Sequence, residues 1–168
     1  MNFPYNLSSV AVERSSAGPT LQVEMSMRSE IDAILPSANQ LMALIIESHC
    51  MPENESDVEM AIREALANAV LHGNLRDPRK EVRISCRVQP GRGISIVVRD
   101  EGQGFDPTTV PNPTAIENVL SLSGRGIHLM KALMDEVYFE RGGTAVHMSK
   151  RVRQIDSLIG GRENVATR

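Results

Sequence analysis

At 168 residues the chain has the length of one domain, enough for a single buried core and too little for a multi-domain machine. Its formal charge of -3 at pH 7 offers no basic stripe for releasing counterions, so direct nucleic-acid binding is not expected and a protein or small-molecule partner is favoured. Cys50 and Cys86 suggest neither a disulfide framework nor a metal cluster and fit a reducing, cytoplasmic setting; no run of about 18 apolar residues marks a membrane span.

Residues 1–19 carry Ser, Gly and Pro without periodicity and read as a flexible arm with room for an edge strand only. Leu21, Val23, Met25 and Met27 alternate with polar neighbours, the period-2 pattern of a strand with one buried face. Ile34, Leu35, Ala38, Leu41, Met42 and Ile45 then recur at helical spacing. Pro36 is tolerable only near a first turn, so the pattern predicts a helix centred on residues 37–49. From Asp57 to His72 the positions Val58, Ala61, Ile62, Ala65, Leu66, Ala69 and Val70 form a nearly complete i, i+3, i+4, i+7 series. His72 and Gly73 supply the helix stop, with Gly73 expected in the left-handed conformation.

Val82, Ile84, Cys86 and Val88, then Ile94, Ile96 and Val98, predict two strands joined by a hairpin at Gln-Pro-Gly-Arg-Gly. Residues 107–123 hold no stable period and carry Pro107, Pro111 and Pro113, a long irregular loop of the kind that serves as a lid. Ile127, Met130, Leu133 and Met134 mark another helix. Val137 to Glu140 and Thr144 to Met148 read as a hairpin about Gly142-Gly143, and residues 151–168 as a weakly ordered tail. One domain over residues 20–150 is expected. The order of elements predicts an α+β fold, a two-layer sandwich in which helices cover one face of a mixed, largely antiparallel sheet.

Glu64 and Asn68 stand four residues apart on the clearest helix and share a surface row that His72 continues. An amide oxygen is a hard ligand for Mg²⁺ and a carboxylate can act as a base, although a solvated helix edge has the same composition. Period-2 counting puts the Asp100 carboxylate on the apolar face of its strand, where a buried charge needs a partner. Gly102 and Gly104 follow it, permitting either close ligand approach or a plain turn. Such a carboxylate could accept a hydrogen bond from an exocyclic amine. Ser123-Gly124-Arg125-Gly126 precedes a helix whose first N–H groups suit a phosphate, with Arg125 as a forked donor or a solvated loop arginine. Thr144 counts onto the inward face with Val146 and Met148. No Gly-x4-Gly-Lys-Ser/Thr loop, zinc-spaced Cys/His cluster or Gly-x-Ser-x-Gly elbow is present. His49, His128 and His147 have no partner at motif spacing and read as structural or exposed.

Three segments, taken together in their order and spacing, resemble the signature boxes of the GHKL (Bergerat-fold) ATPase superfamily. They are Glu64-Ala-Leu-Ala-Asn-Ala-Val-Leu-His-Gly-Asn74, Asp100-Glu-Gly-Gln-Gly-Phe-Asp-Pro107 and Ser123-Gly-Arg-Gly-Ile-His-Leu-Met-Lys-Ala-Leu-Met-Asp-Glu-Val137. Within the superfamily they are most similar to the anti-sigma factor serine/threonine kinases of the RsbW and SpoIIAB type, over residues 20–150. The resemblance implies ATP and Mg²⁺ as cofactors, Asn68 as the Mg²⁺ ligand, Glu64 as the general base and Asp100 as the reader of adenine. It further implies that Gly102 and Gly104 form the first glycine box, Gly124 and Gly126 with Arg125 the second, and that Thr144 lies near adenine. It implies as partners a small anti-anti-sigma antagonist, phosphorylated on serine, and a sigma factor, and leaves room for a homodimer. The alternative is a catalytically silent module that holds nucleotide while sequestering a protein.

Overall fold

Alternation along the strands sorts the side chains into two layers. In the computed structural model, which describes residues 5–15, 18–48, 55–106 and 125–152, the chain begins with β1 (Tyr5–Ser15), β2 (Gly18–Arg28) and α1 (Ile31–Glu47). Helix α2 (Glu55–Asn68) runs directly into a π-helical turn over Ala69–Gly73, followed by β3 (Glu81–Gln89) and β4 (Gly93–Arg99). Helix α3 (Arg125–Leu133), β5 (Glu136–Glu140), a 3₁₀ turn over Arg141–Gly143 and β6 (Ala145–Arg151) complete the described chain. The sheet order is β1-β2-β3-β4-β6-β5, and every pairing is antiparallel.

Leu21, Val23, Met25 and Met27 of β2, Val82, Ile84, Cys86 and Val88 of β3, and Ile94, Ile96 and Val98 of β4 are all buried, while their alternating neighbours, Thr20 excepted, are not. That single apolar face is covered by Ala38, Leu41 and Ile45 of α1, Val58, Ile62, Ala65 and Leu66 of α2, and Met130 of α3. Each fully buried aliphatic side chain contributes about 1.5–3 kcal/mol relative to exposure, which is why the period-2 and 3.6-residue patterns fix the layering. The α+β two-layer sandwich expected from the sequence is the observed architecture, and the described sheet is antiparallel throughout.

The N-terminal segment carries the edge strand for which the sequence left room. Tyr5–Ser15 is a full edge strand on β2 with a register shift between Leu7 and Ser9, and β2 begins at Gly18 rather than after residue 20. Leu7, Val10 and Val12 fall opposite Met25, Val23 and Leu21, so an apolar alternation was present in the arm; Ser8 and Ser9 at the irregularity obscured it. Helix α1 also starts earlier, at Ile31, and Pro36 sits in its second turn. Pro36 has no N–H to give the Asp32 carbonyl, but Asp32 is exposed while Ala33 and Ser37 are buried, so packing outweighs the lost bond. The proposed lid, Gly124, His49, Cys50 and residues 153–168 lie outside the described residues.

Candidate functional site

A cavity of about 530 Å³ opens between the ends of α2, β4 and α3 and the turn before β6. Glu64, Asn68, Asp100, Arg125 and Gly126 line it on the polar side, with Leu71, Val98, Ile127 and Met130 among the apolar walls. This is the size and composition of a small-molecule pocket, an apolar enclosure with a few convergent polar groups.

The end of α2 shapes the cavity's rim. Its last carbonyls are taken by wide turns, with Asn74 N–H donating to Ala69 O at 2.8 Å and Arg76 N–H to Val70 O at 2.8 Å. Leu75 and Arg76 carry the positive φ values, 57° and 59°, that the sequence reading had assigned to Gly73. Gly73 is required for a different reason: a Cβ there would lie 2.6 Å from both carboxylate oxygens of Asp100. The loop after β4 presses on the same turn, since a Cβ on Gly102 would collide with the Gly73 carbonyl and stand 2.8 Å from Asp100 Oδ1. Two glycines thus let two backbones meet around one carboxylate.

Asp100 points inward as period-2 counting predicted, and its Oδ1 accepts the Gly102 N–H at 2.8 Å. Its own N–H donates to the Thr144 carbonyl at 3.0 Å. Burial pushes the Asp100 carboxyl above the ordinary carboxylate range, and the Gly102 N–H and the Lys80 charge oppose that shift. A half-buried carboxylate with acceptor capacity left over is suited to a neutral donor such as an amine.

Helix α3 enters the cavity wall at Arg125 and Gly126. A Cβ on Gly126 would lie 2.6 Å from Glu64 Oε2 and 3.3 Å from both amide atoms of Asn68, so the first turn of α3 rests on that pair of side chains. The Asn68 Nδ2 atom is buried and finds no partner among the described residues. Because amide O and N exchange by a simple flip, an orphaned amide beside a cavity fits the single hard ligand that Mg²⁺ takes when phosphate oxygens supply the rest. No cluster of three or more His, Cys, Asp or Glu that could hold a metal occurs among the described residues.

Gly104 and Gly143 take φ values of 76° and 88°, and a Cβ on Gly104 would run into the Gly142 carbonyl. Phe105 N–H donates to that carbonyl at 2.8 Å, holding the Phe105 ring edge-on to Phe139 with centroids 5.3 Å apart, and both rings line the cavity. Thr144 stands just before the last strand rather than in it. The 3₁₀ turn ends on it, so β6 begins one residue later and strand counting does not reach back to it. Its hydroxyl donates to the Arg141 carbonyl at 3.1 Å, and Thr144 stands beside the cavity lining. What it supplies is the backbone acceptor for Asp100. Gly102 likewise packs behind Asp100 without lining the cavity. His128 is exposed on α3, and His147 lies on the opposite face of the sheet, 3.0 Å from Glu140 and stacked on Tyr138 at 4.6 Å.

One residue escaped the sequence reading. Asn74 is fully buried; its Nδ2 donates to the Glu81 carbonyl at 2.9 Å and its Oδ1 accepts the Glu101 N–H at 2.8 Å. It ties the end of α2 to the start of β3 and to the loop carrying Asp100. The available signal was a polar residue directly after a helix stop, where a side-chain amide commonly satisfies free backbone groups.

Comparison with known proteins gives the family. A family model described as a histidine kinase-like ATPase domain matches residues 28–150. The anti-sigma F factor of Geobacillus kaustophilus (strain HTA426) is 28% identical over 143 residues, covering 82% of this chain and 96% of that protein. The anti-sigma F factor of Bacillus cytotoxicus (strain DSM 22905 / CIP 110041 / 391-98 / NVH 391-98) is 30% identical over 112 residues, covering 63% and 75%. The serine-protein kinase RsbW of Bacillus subtilis (strain 168) is 36% identical over 104 residues, covering 56% and 62%.

Proposed function

The chain belongs to the histidine kinase-like ATPase family, among relatives named as anti-sigma factors and a serine-protein kinase, and we propose that it is an ATP-dependent protein serine kinase and anti-sigma regulator. It phosphorylates a small antagonist protein and, when free, sequesters a sigma factor in the cytoplasm. The observation that carries this reading is the meeting of Glu64, Asn68 and the first turn of α3 in one cavity that Asp100 also lines.

Asp100 accepts a hydrogen bond from the adenine amine and fixes the base. The first N–H groups of α3, with Arg125 at its start, hold the phosphates, an arrangement that helix ends favour for anions. Asn68, together with phosphate oxygens, would hold Mg²⁺, and the ion would supply charge neutralisation for the transferring group. Glu64 orients the acceptor serine and takes its proton as the serine oxygen bonds to the γ-phosphorus. The bond from that phosphorus to the β–γ bridging oxygen breaks, and ADP leaves with the electron pair. Added charge of about -1.5 to -2 beside Glu64 and ADP then repels the phosphorylated antagonist and frees the surface for the sigma factor.

Two substitutions on one helix row test the assignment. Asn68→Ala should lose Mg²⁺-assisted nucleotide binding, whereas Glu64→Gln should keep binding and slow transfer by about 10² to 10⁴-fold. A Glu64→Gln protein that phosphorylates its partner at the wild-type rate removes the base role and leaves a nucleotide-holding module.

A further inference from the structure

Lys150 stands on the helix-facing side of β6, opposite Ile94 of β4 and two residues from the buried Met148. An ammonium in this apolar row is costly to desolvate unless its donors are used. Only 14% of the side chain remains exposed, and Nζ reaches Asp57 Oδ2 at 2.7 Å in the first turn of α2. The same nitrogen donates to the carbonyl of Leu133, the last residue of α3. Strand and both helices meet on one nitrogen.

The helix dipoles favour every charge in this arrangement: an acid at the start of α2 and a cation at the end of α3. The chain leaving α3 is stitched down as well, with Asp135 N–H donating to the Ser149 carbonyl at 2.9 Å and Arg151 N–H to Asp135 Oδ2 at 2.7 Å. Asp57 and Leu133 share one end of the α2/α3 pair, and Asn68 and Gly126 share the other, so the helices are antiparallel. A helix of nine residues is a rod about 14 Å long. Its pinned end sets where the free end falls, and at that end Gly126 has no room to spare against Glu64.

We propose that Lys150 is a positioning residue for the phosphate end of the site: it fixes the pitch of α3 on α2 and so holds Gly126 against Glu64 and Asn68. The inference rests on the nucleotide reading of the cavity for its functional readout and on packing alone for its structural one. The test uses Lys150→Met, which keeps length and apolar fit without the donors, Asp57→Asn, and Lys150→Arg as the conservative variant. Hydrogen exchange of the nucleotide-free proteins and binding of ATP and of adenosine are measured in each.

In Lys150→Met, exchange across residues 126–133 should rise at least tenfold while β3 and β4 stay protected. ATP affinity should fall tenfold or more, adenosine affinity should hold within twofold, and Lys150→Arg should recover most of the loss. Wild-type exchange in α3, or equal losses for ATP and adenosine, overturns the proposal. Should Lys150→Met fail to fold, Asp57→Asn decides by the same criteria. If the wild-type protein binds neither ligand, the nucleotide reading fails, and the exchange comparison still settles whether Lys150 sets the position of α3.

Discussion

Gly126→Ala separates stability from catalysis because its two effects have opposite signs. Gly126 lies inside α3 with φ outside the left-handed region, so alanine suits the backbone and contributes up to about 1 kcal/mol of helix propensity. The added methyl would stand 2.6 Å from Glu64 Oε2, which forces the flexible end of Glu64 aside. Holding a side chain about 30° off its rotamer costs about 0.5–1.5 kcal/mol, so the terms nearly cancel and stability should change by less than about 1 kcal/mol. In a chain of this size that is a melting shift of no more than about 4 °C. On the proposed mechanism a displaced Glu64 cannot receive the serine proton, and transfer should fall by about 10² to 10⁴-fold. Thermal melts paired with transfer of labelled phosphate to the antagonist measure both. In a Glu64→Gln background the alanine should cause no further loss of rate, since the group it displaces is already inert. A stable Gly126→Ala protein with wild-type transfer refutes the reasoning.

Asp100→Asn should weaken ATP binding by about 1–3 kcal/mol, roughly tenfold to a hundredfold, in titration calorimetry; unchanged affinity in the folded variant would exclude the adenine contact. Because burial raises the Asp100 pKa, its contribution to stability is present below the ordinary carboxylate range and is lost as pH rises through the raised value. The ligand-free variant should therefore be at least as stable as wild type at neutral pH, with the difference closing on acidification; a less stable variant contradicts the shift. Burial, aided by Glu24, pushes the Cys86 thiol up to about 12, so in a Cys50→Ser protein a thiol reagent should react only after unfolding. Hydrogen bonds from Arg79 lower Asp77 to about 2, and an NMR titration should show that midpoint return toward 3.8 in Arg79→Ala. A midpoint that ignores the substitution would dissociate the pair.

The layers were legible because burial is one-sided: a period of two in β2, β3 and β4 and a period of 3.6 in α2 each allow one orientation on the core. Glu64, Asn68 and Asp100 were legible for the complementary reason, since polar groups at the margin of an apolar stripe must face either solvent or a site. The glycines were legible as positions but not as causes. Gly73 answers to a carboxylate arriving from residue 100, and Gly126 to two side chains of α2; neither contact can be read from local sequence. Thr144 shows the limit of counting, because it ends the 3₁₀ turn over Arg141–Gly143 and strand alternation starts only at Ala145. Asn74 was missed since its partners, Glu81 and Glu101, are close in space through three separate segments.

The sheet order also orders the protein's assembly in time. β1 with β2, β3 with β4 and β5 with β6 are sequence-adjacent hairpins, which close over short loops, whereas β2 with β3 and β4 with β6 join segments separated by helices. Loop-closure entropy makes the distant joins slower to form. Much of the cavity comes from these late joins: α2 lies between β2 and β3, α3 between β4 and β6, and Asp100 follows β4 directly, while Phe139 and Gly143 come from the β5–β6 hairpin. Nucleotide capture during refolding should accordingly lag behind the appearance of strand signal, and a bound nucleotide would act as a seal on the completed chain.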